Sequence, residues 1–589
     1  MQKRWSLLPD PPQSFIDEHP ELPPIVAKLL FHRNILTAEQ IDEFLNMDYV
    51  HHVHDPFLFK DMPKTVERIF TAIQNKEKII VHGDYDADGV SASVILVSTL
   101  KALGAEHVGV FLPHRETDGY GLNTNTIQKL ADEKTNLIIT CDCGISNIEE
   151  VKMANELGMD VIITDHHTVP EIPPPAFAII HPKTIGETYP DKGLAGGAVA
   201  FKLMQGLLKE YSKTHETLPN SGPLLSFEKW LLDMVAIASV ADMVPLIGES
   251  RTLTKFGLIV LNKTRRIGLQ KLLLEARITD EQGGCKHPIN TETIGFQIAP
   301  RINAAGRMNH ANVAYNLMMT ESATDAVDLA FELDQNNQER QKMTEGLVKK
   351  AIEQVEKDQK NNPMLFVLGQ QWSSGIVGLI AGKIKEKYYK PTIVMVQNGN
   401  EIMGSGRSIE GFNLIESLQE LSHFFSKFGG HPMACGFTLK DSSKLELFKN
   451  SLMNLCKQKT DGKLVEPTIL IDAEIDLDEV DWELYNTLAK FEPFGQMNES
   501  PKYLAKGLTI QSMKALGKDS KHLRIMVKHN NHRVRKTIGW NLCNGNGNNT
   551  NWCNLLKPGD VIDMVFEISL NEWNGTKELQ MTIVDLKKQ

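Results

Sequence analysis

The hydrophobic pattern between Lys78 and Pro182 alternates between short apolar runs and helix-like segments. The apolar runs read KIIVHG, HVGVFLP, NLIITCD, DVIITDHH and FAIIHP. Two helix-like segments between them end at Gly104 and Gly158, as helices commonly do. Continuous apolar strands that alternate with helices are typical of a parallel sheet covered on both faces. The pattern therefore predicts a doubly wound α/β domain.

The pattern changes three times after this domain. Residues 320–360 are polar with helical spacing and predict one long connecting helix, and MLFVLG near Met364 opens a second, smaller α/β unit. Short alternating strands follow Asp461 and predict a small β-barrel of the OB type. We therefore divide the chain into an N-terminal helical or irregular segment (1–70), a catalytic α/β domain (71–319), the connecting helix (320–360), the second α/β domain (361–460) and the barrel (461–589).

Composition narrows the class of protein. The chain has 589 residues, too many for one hydrophobic core, and no run of about 18 apolar residues that could cross a membrane. The N-terminus lacks the apolar segment of a signal peptide, so we expect a cytoplasmic protein and a monomer without a membrane partner. Seven scattered cysteines, among them Cys141, Cys143, Cys543 and Cys553, predict unligated thiols.

Charge is unevenly distributed along the chain. The net charge is −11, yet residues 501–540 contain ten Lys or Arg residues and a single acid, Asp519. Such a run is often only a solvated strand face. Its density favours a surface that follows a phosphate backbone. The Asn/Gly-rich segment 541–554 reads as an insertion at a loop tip, of unknown role.

Acidic and imidazole side chains follow the ends of the predicted strands, where parallel sheets bind their ligands. They are His82, Asp86 and Asp88 in HGDYDADG, Asp142 in TCDCG, and Asp165, His166 and His167 in TDHH. Asp242 in ASVADMVPL joins them from the end of an apolar helix. Any one of them could be a capping residue. Carboxylates gathered in one cleft repel each other by about 4 kcal/mol per pair at 4 Å and an effective dielectric of 20, which divalent cations would relieve. Mixed His and Asp ligands suit Mn²⁺ or Mg²⁺, and their number suits two ions that share one carboxylate.

These motifs resemble a known family. HGDYDADGVSAS, TCDCG, TDHH and SVADMVP resemble the signatures of the DHH phosphoesterase superfamily. PHRETDGYGLN, APRINAAGRM, MGSGRSIEGFNL and FGGHPMACGFTL resemble the RecJ single-strand-specific exonucleases, with their DHH and DHHA1 domains. The likeness runs from about His82 to Phe437, and the basic barrel resembles the OB domain of bacterial RecJ.

The resemblance implies a role for each motif residue. His82, Asp86 and Asp142 would hold one Mn²⁺, and Asp88, Asp142, His166 and Asp242 the other. Asp142 would bridge the two ions, and a water between them would be the nucleophile. His167 would face the scissile phosphate, while Asp84 and Asp165 would orient ligands.

The resemblance also implies residues that grip the strand. We expect DNA or phosphate contacts from Arg115, Arg301, Asn303, Arg307, Ser374, Ser405, Arg407 and His431. Arg115, Ser405 and Arg407 would form a pocket for the 5′ end. Arg301 and Arg307 could instead be ion-paired structural residues. Tyr120, Trp372, Phe412 and Trp540 could stack on bases or belong to the core.

The expected function is a metal-dependent 5′→3′ exonuclease that hydrolyses single-stranded DNA to mononucleotides in recombination and repair, beside a single-strand-binding protein and a helicase. Its polarity, its preference for DNA over RNA and these partners come from the family alone. One alternative is a DHH phosphodiesterase for oligoribonucleotides or small dinucleotides, which would not need the cations of 501–540. Another is a catalytically inactive scaffold, which should have lost metal ligands, and none is missing here.

Overall fold

The computed structural model describes residues 3–285, 287–460, 466–529, 533–544, 550–573 and 576–589. The chain forms two compact units. The first contains Ile35–Glu339 and Lys490–Ser500, and the second contains Met1–Asn34, Arg340–Ala489 and Pro501–Gln589. In these described ranges we find no helix both long and apolar enough to cross a membrane.

The N-terminal segment begins with a strand. Its elements are β1 (Arg4–Leu7), α1 (Gln13–Glu18) and α2 (Pro24–His32). Strand β1 pairs in parallel with the distant segment Thr468–Ile471, and the Trp5 indole donates a hydrogen bond to Asp585 over 2.8 Å. The first residues of the chain therefore pack with the last domain.

The first unit contains the predicted doubly wound domain. In chain order its elements are α3 (Ala38–Leu45), α4 (Tyr49–His52), α5 (Met62–Gln74), β2 (Ile79–Gly83), α6 (Ala87–Ala102), β3 (Val108–Phe111), α7 (Thr124–Asp132), β4 (Leu137–Cys141), α8 (Ile148–Glu156), β5 (Asp160–Thr164), β6 (Ala178–Ile180), α9 (Gly196–Tyr211), β7 (Thr217–Leu218), β8 (Gly222–Pro223), α10 (Leu224–Trp230), α11 (Leu232–Ala241), α12 (Gly248–Leu261), α13 (Ile267–Glu275), α14 (Thr291–Thr293), a π-helical turn (Ile294–Ile298), α15 (Ala299–Met308) and α16 (Asn312–Met319).

Strands β2 to β6 form one parallel sheet in the order β3-β2-β4-β5-β6. All residues of β2 and β4 are buried, because helices cover both faces of the sheet. Helices α6, α9 and α11 pack together as one layer of this core. The predicted fold is confirmed, and the carboxyl ends of the strands meet at one edge.

A long helix and a second α/β domain follow, as predicted. The elements are α17 (Ala323–Asp358), β9 (Leu365–Gln370), α18 (Ser374–Tyr388), β10 (Thr392–Asn398), β11 (Glu401–Arg407), α19 (Leu414–Glu420), β12 (Phe425–His431), β13 (Ala434–Leu439) and α20 (Leu445–Lys459). The sheet order is β12-β13-β11-β10-β9. Only β9 and β10 are parallel, so this sheet is mixed.

The C-terminal domain is the predicted barrel. Its elements are β14 (Thr468–Ile471), β15 (Ala473–Glu474), α21 (Trp482–Ala489), β16 (Tyr503–Leu516), β17 (His522–His529), β18 (Arg535–Gly539), α22 (Trp552–Leu555), β19 (Val561–Trp573) and β20 (Thr576–Lys588). Strands β16, β17, β18, β20 and β19 pair in that order, and β19 returns to β16. This closed five-stranded barrel confirms the OB-type prediction.

The cysteines correct one expectation. Cys543 and Cys553 form a disulfide, so free thiols were the wrong prediction for this pair. Sequence reasoning missed this disulfide because the spacing of two cysteines along the chain does not show whether the barrel brings them close together. Cys141 and Cys143 are buried and form no disulfide. Within the predicted insertion 541–554, residues 545–549 lie outside the described ranges.

Candidate functional site

The predicted acidic residues lie at the carboxyl ends of β2 and β4. Asp86 caps α6, where its carboxylate accepts hydrogen bonds from the amides of Asp88 and Gly89 over 2.9 and 3.1 Å. Asp142, directly after β4, has a φ of 60°. That left-handed conformation costs a residue with a Cβ roughly 1–3 kcal/mol, and such strain clusters at functional sites.

Three groups of side chains place ligand atoms within 4.8 Å of one another in the described part of the chain. They are Asp142 with His166 and His167, Asp88 with His166 and Asp242, and Asp84 with Asp86 and Asp142. Asp142 and His166 each belong to two of the groups. The structure therefore joins six of the predicted side chains, with His167, into one centre.

Nε2 of His166 is at the middle of this centre. It lies 3.1 Å from Asp142 Oδ1, 3.5 Å from Asp242 Oδ2 and 3.7 Å from Asp88 Oδ2. His166 Nε2 and Asp142 Oδ1 are both buried, yet they have no hydrogen-bond partner of acceptable geometry among the described residues. Their closeness is therefore not explained by a bond between them.

Two more buried atoms of the same motifs are unpartnered among the described residues. These are Nε2 of His82 and Oδ1 of Asp84. His82 does not belong to the three groups, but it is the last residue but one of β2, which pairs with the strand that precedes Asp142. Buried polar atoms without partners are costly, so four of them at one sheet edge fit a site for cations.

The carboxyl groups of the centre resist ionisation. Burial, and then the charges of neighbouring carboxylates, raises the pKa values of Asp84, Asp88 and Asp142 well above the usual range. Burial, followed by the charge of Asp86, raises the pKa of Asp242 to about 7. Bound cations would supply the positive charge that favours the ionised forms.

The pKa values of two imidazoles in the centre are lowered. Burial lowers the pKa of His82 to about 4, and burial together with the neighbouring His167 lowers that of His166 to about 3. Both rings are therefore neutral at pH 7 and keep a lone pair for a metal. Neutral imidazole is the form that binds Mn²⁺ and similar ions.

Asp165 differs from the other acids because its carboxylate is already saturated. It accepts hydrogen bonds from the amides of Ile145, His166 and His167 and from Nδ1 of His167. Burial alone would raise the pKa of Asp165, but these bonds and the His167 charge hold it well below the usual range. Asp165 therefore orients His167, and it belongs to none of the three groups of ligand atoms among the described residues.

Two residues that sequence reasoning did not single out hold the same loop. His181 Nε2 donates to the carbonyl of His167 over 2.9 Å, and the Lys183 ammonium donates to the carbonyl of His166 over 2.6 Å. Both follow β6, in FAIIHPK. Their position after a strand was a usable signal, since the other site residues occupy the same place in their strands.

The predicted arginines of this unit have defined partners. Arg115 stacks on Tyr85, with its guanidinium carbon 3.9 Å from the ring centre. Arg301 pairs with Asp334 over 2.9 Å and also donates to the Gln297 carbonyl. Arg301 is therefore an ion-paired residue, which was the alternative to a DNA contact. Arg307 is half-buried on the same helix, α15.

Asn303 ties α15 to the first acidic motif. Its side-chain oxygen accepts a hydrogen bond from the amide of Ala87 over 2.7 Å. Gly306, one turn later, packs so closely on Tyr85 that an added Cβ would lie 2.5 Å from its carbonyl oxygen. In the structure Asn303 thus positions the Asp86–Asp88 turn.

The predicted phosphate-binding residues of the second α/β domain lie around α18 and the end of β11. Ser374 begins α18. Arg407 donates to Ser405 Oγ over 3.1 Å, and both side chains approach Gly378 of this helix. His431 pairs with Ala434, which also pairs with Arg407. Arg115 belongs to the other unit, and its grouping with Ser405 and Arg407 stays a prediction.

The basic segment of the barrel is partly neutralised. Four of its cations have acidic partners, in the pairs Lys502–Glu567, Lys506–Glu474, Lys521–Asp519 and Lys536–Glu578. Lys514 and Arg524 face each other across β16 and β17, with no carboxylate within 4 Å in the described ranges. Trp540 is 52% exposed and lies edge-on to His522. Lys514 and Trp540 are exposed, whereas Arg524 and His522 are half-buried, and the four form a basic and aromatic patch.

Tyr120 and Phe412 resolve two of the open aromatic assignments. Phe412 is buried in the core of the second α/β domain. Tyr120 is 46% exposed, and its hydroxyl is 3.0 Å from Nδ1 of His167 and donates to the carbonyl of Asp142. Tyr120 therefore belongs to the candidate site.

Comparison with known proteins covers the whole chain. The models of the DHH family N-terminal domain, the DHHA1 domain and the RecJ OB domain match residues 78–238, 361–458 and 471–585. The chain is 38% identical, over 97% of its length and 69% of the relative's, to the single-stranded-DNA-specific exonuclease RecJ of Bacillus subtilis. It is 31% identical to the Escherichia coli RecJ exonuclease over 96% of each chain.

A solved structure agrees with these sequence matches. The crystal structure of RecJ in complex with Mn²⁺ from Thermus thermophilus aligns with a TM-score of 0.80 at 27% identity. The alignment covers 100% of this chain and 80% of that chain. The likeness thus includes the sheet that bears the acidic centre, the second α/β domain and the barrel. The chain belongs to the RecJ family of the DHH phosphoesterases.

Proposed function

We propose that this chain is a metal-dependent exonuclease specific for single-stranded DNA. The observation that carries the proposal is the buried centre of Asp and His side chains at the carboxyl edge of the parallel sheet. Several of its polar atoms have no hydrogen-bond partner among the described residues. The relatives that match nearly the whole chain are named single-stranded-DNA-specific exonucleases. A chain with the same domains and an intact centre is expected to share this activity.

We propose two cation positions in this centre. His82, Asp86 and Asp142 would hold one ion, and Asp88, Asp142, His166 and Asp242 the other. The membership of Asp142 in two groups of ligand atoms supports its role as the bridge. Two divalent cations would activate water and stabilise the charge that develops on a phosphodiester. Mn²⁺ is proposed over Mg²⁺ because two imidazoles take part.

The remaining residues of the centre would act on substrate and ligands. His167 would contact the scissile phosphate, because Asp165 fixes its ring and raises its pKa to about 9 against the effect of burial. A protonated imidazole donates a strong hydrogen bond to a phosphate oxygen. Asp84, with one orphaned oxygen beside Asp86 and Asp142, would position the first ion.

Binding of the strand would use positive charge outside the centre. We propose that Arg407, Ser405 and Ser374 contact phosphates in the second α/β domain, and that the barrel cations extend the contact. Release of mononucleotides in the 5′→3′ direction is part of the same proposal. The cytoplasmic location, the monomeric state and the partnership with a single-strand-binding protein and a helicase stay predictions.

Digestion of a single-stranded DNA oligonucleotide labelled at either end tests the function. With Mn²⁺ we expect rapid release of the 5′ label as a mononucleotide, while the 3′ label stays on shortening strands. A duplex and an RNA of the same sequence serve as controls. Loss of the 3′ label first would contradict the polarity. Turnover of dinucleotides without DNA cleavage would replace the proposal by the small-substrate alternative.

A further inference from the structure

The amino end of α9 lies against one of the proposed metal ligands. The amides of Gly196 and Gly197 donate hydrogen bonds to Oδ2 and Oδ1 of Asp88 over 2.8 and 2.6 Å. Each carboxylate oxygen therefore accepts one bond from the first turn of a 16-residue helix. Because a carboxylate oxygen has two lone pairs, each oxygen keeps one for a cation.

Space requires glycine at both positions. A Cβ at residue 196 would lie 2.5 Å from Cβ of Asp142 and 2.7 Å from its Oδ1. A Cβ at residue 197 would lie 2.6 Å from Cβ of Ala238 and 3.3 Å from Asp88 Oδ1. Neither glycine has a positive φ, so close approach and not backbone conformation excludes a side chain.

The helix is also prevented from moving away. Lys202, on the second turn of α9, is fully buried, and its ammonium donates to Glu249 over 2.9 Å and to the carbonyl of His54 over 2.6 Å. The Tyr189 hydroxyl donates to the other oxygen of Glu249. Breaking a buried ion pair is strongly unfavourable, so α9 is fastened close to its amino end.

We propose that the amino end of α9 is part of the metal site and that Gly196 and Gly197 are positioning residues. Their amides fix the plane of the Asp88 carboxylate, and their missing side chains let α9 approach both Asp88 and Asp142. The positive end of the helix dipole also favours the ionised carboxylate. The inference rests on the proposed function, because it concerns the affinity of that site for cations.

The test is the affinity for Mn²⁺, measured by electron paramagnetic resonance of the free ion. Gly197→Ala should bind Mn²⁺ about 10–100-fold more weakly than the natural chain, the usual effect of removing a group that orients a ligand. Gly206→Ala is the matched control. It lies on the same helix, but the nearest atoms to its Cβ are the flexible end of Met62 and the side chain of Val66.

A second substitution isolates the cause. Ala238→Gly removes the atom that a Cβ at residue 197 would strike, so the double variant Gly197→Ala/Ala238→Gly should recover most of the affinity. Unchanged affinity in Gly197→Ala, equal weakening in Gly206→Ala, or no recovery in the double variant would each overturn the inference. A natural chain that binds no Mn²⁺ would instead overturn the proposed function.

Hydrogen exchange tests the same contact if Gly197→Ala fails to fold. In metal-free protein, Asp88→Ala removes the acceptor of both amides. Exchange measured by mass spectrometry should become faster at Gly196 and Gly197 and stay slow in the helix beyond Lys202. If the amides of Gly196 and Gly197 exchange at the same rate in the natural chain and in Asp88→Ala, α9 does not hold the Asp88 carboxylate.

Discussion

The carboxylate of Asp165 accepts a hydrogen bond over 2.8 Å from Nδ1 of His167, which lies two positions later in the same loop. Three backbone amides point at the same carboxylate. Asp165 belongs to none of the three groups of ligand atoms among the described residues, and its charge is directed at His167. In the proposed assignment the tripeptide Asp165-His166-His167 supplies one metal ligand, one substrate contact and one residue that orients His167.

Replacing Asp165 by Asn should lower activity without removing the metal. The amide cannot hold His167 protonated, so we expect kcat on single-stranded DNA to fall about 10–100-fold while Mn²⁺ affinity changes little. Steady-state digestion and Mn²⁺ titration measure the two quantities. Asp132→Asn, at an exposed helix end, is the control. A loss of Mn²⁺ affinity as large as the loss of kcat would contradict the orienting role.

Replacing Asp142 by Ala should abolish metal-dependent hydrolysis. Asp142 takes part in two of the three groups of ligand atoms, so its loss affects both proposed cation positions. We expect no detectable release of label from single-stranded DNA, with the fold retained because the substitution also removes buried carboxylate repulsion. Circular dichroism checks the fold. Full activity in this variant would refute the assigned centre.

The carboxyl group of Asp242 should destabilise the metal-free protein as the pH rises. The pKa of Asp242 is about 7 in the folded chain against an ordinary value of 3.8, so its proton stabilises the fold at low pH and this contribution is lost as the pH passes about 7. Between about pH 5.5 and pH 8 this contribution of Asp242 to the free energy of unfolding should fall by about 2 kcal/mol, whereas the lowered pKa values of His82 and His166 act in the opposite direction.

Urea unfolding in the presence of a chelator measures this effect. Addition of Mn²⁺ at about pH 8 should restore the lost stability, because the cation replaces the proton as partner of the carboxylates. In Asp242→Asn the pH dependence should shrink. A pH dependence in Asp242→Asn equal to that of the natural chain would contradict the raised pKa.

The barrel cations should differ in their effect on DNA binding. Lys514 and Arg524 face each other without an acidic partner in the described chain, whereas Lys506, on the same strand as Lys514, pairs with Glu474 over 2.8 Å. Alanine at Lys514 or Arg524 should weaken binding of single-stranded DNA and lower the slope of log K against log salt by about 0.7. Lys506→Ala should change the slope less.

Fluorescence anisotropy of a labelled oligonucleotide, with chelator present to prevent cleavage, gives the affinities at several salt concentrations. Equal effects of all three substitutions would show that the ion pair does not withdraw Lys506 from binding. No effect of any of them would place the strand elsewhere than on this face of the barrel.

The sequence by itself determined the parallel sheet, the long helix, the barrel and most of the acidic centre. Apolar runs of strand length identify buried strands, and parallel strands bring residues at their ends together wherever those residues stand in the chain. The predicted side chains His82, Asp86, Asp88 and Asp142 could be named for this reason. The sequence also names Asp242, although this residue follows a helix and not a strand.

Only the tertiary structure decided which neighbours hold these residues in place. Gly196 and Gly197 reach Asp88 across more than a hundred positions, and Asn303 reaches Ala87 across more than two hundred. The disulfide of Cys543 and Cys553 and the ion pair of Arg301 depend equally on packing. A sequence pattern records periodicity and burial. It does not record which backbone amide will face which carboxylate, because that depends on distances that arise only when the helices pack on the sheet.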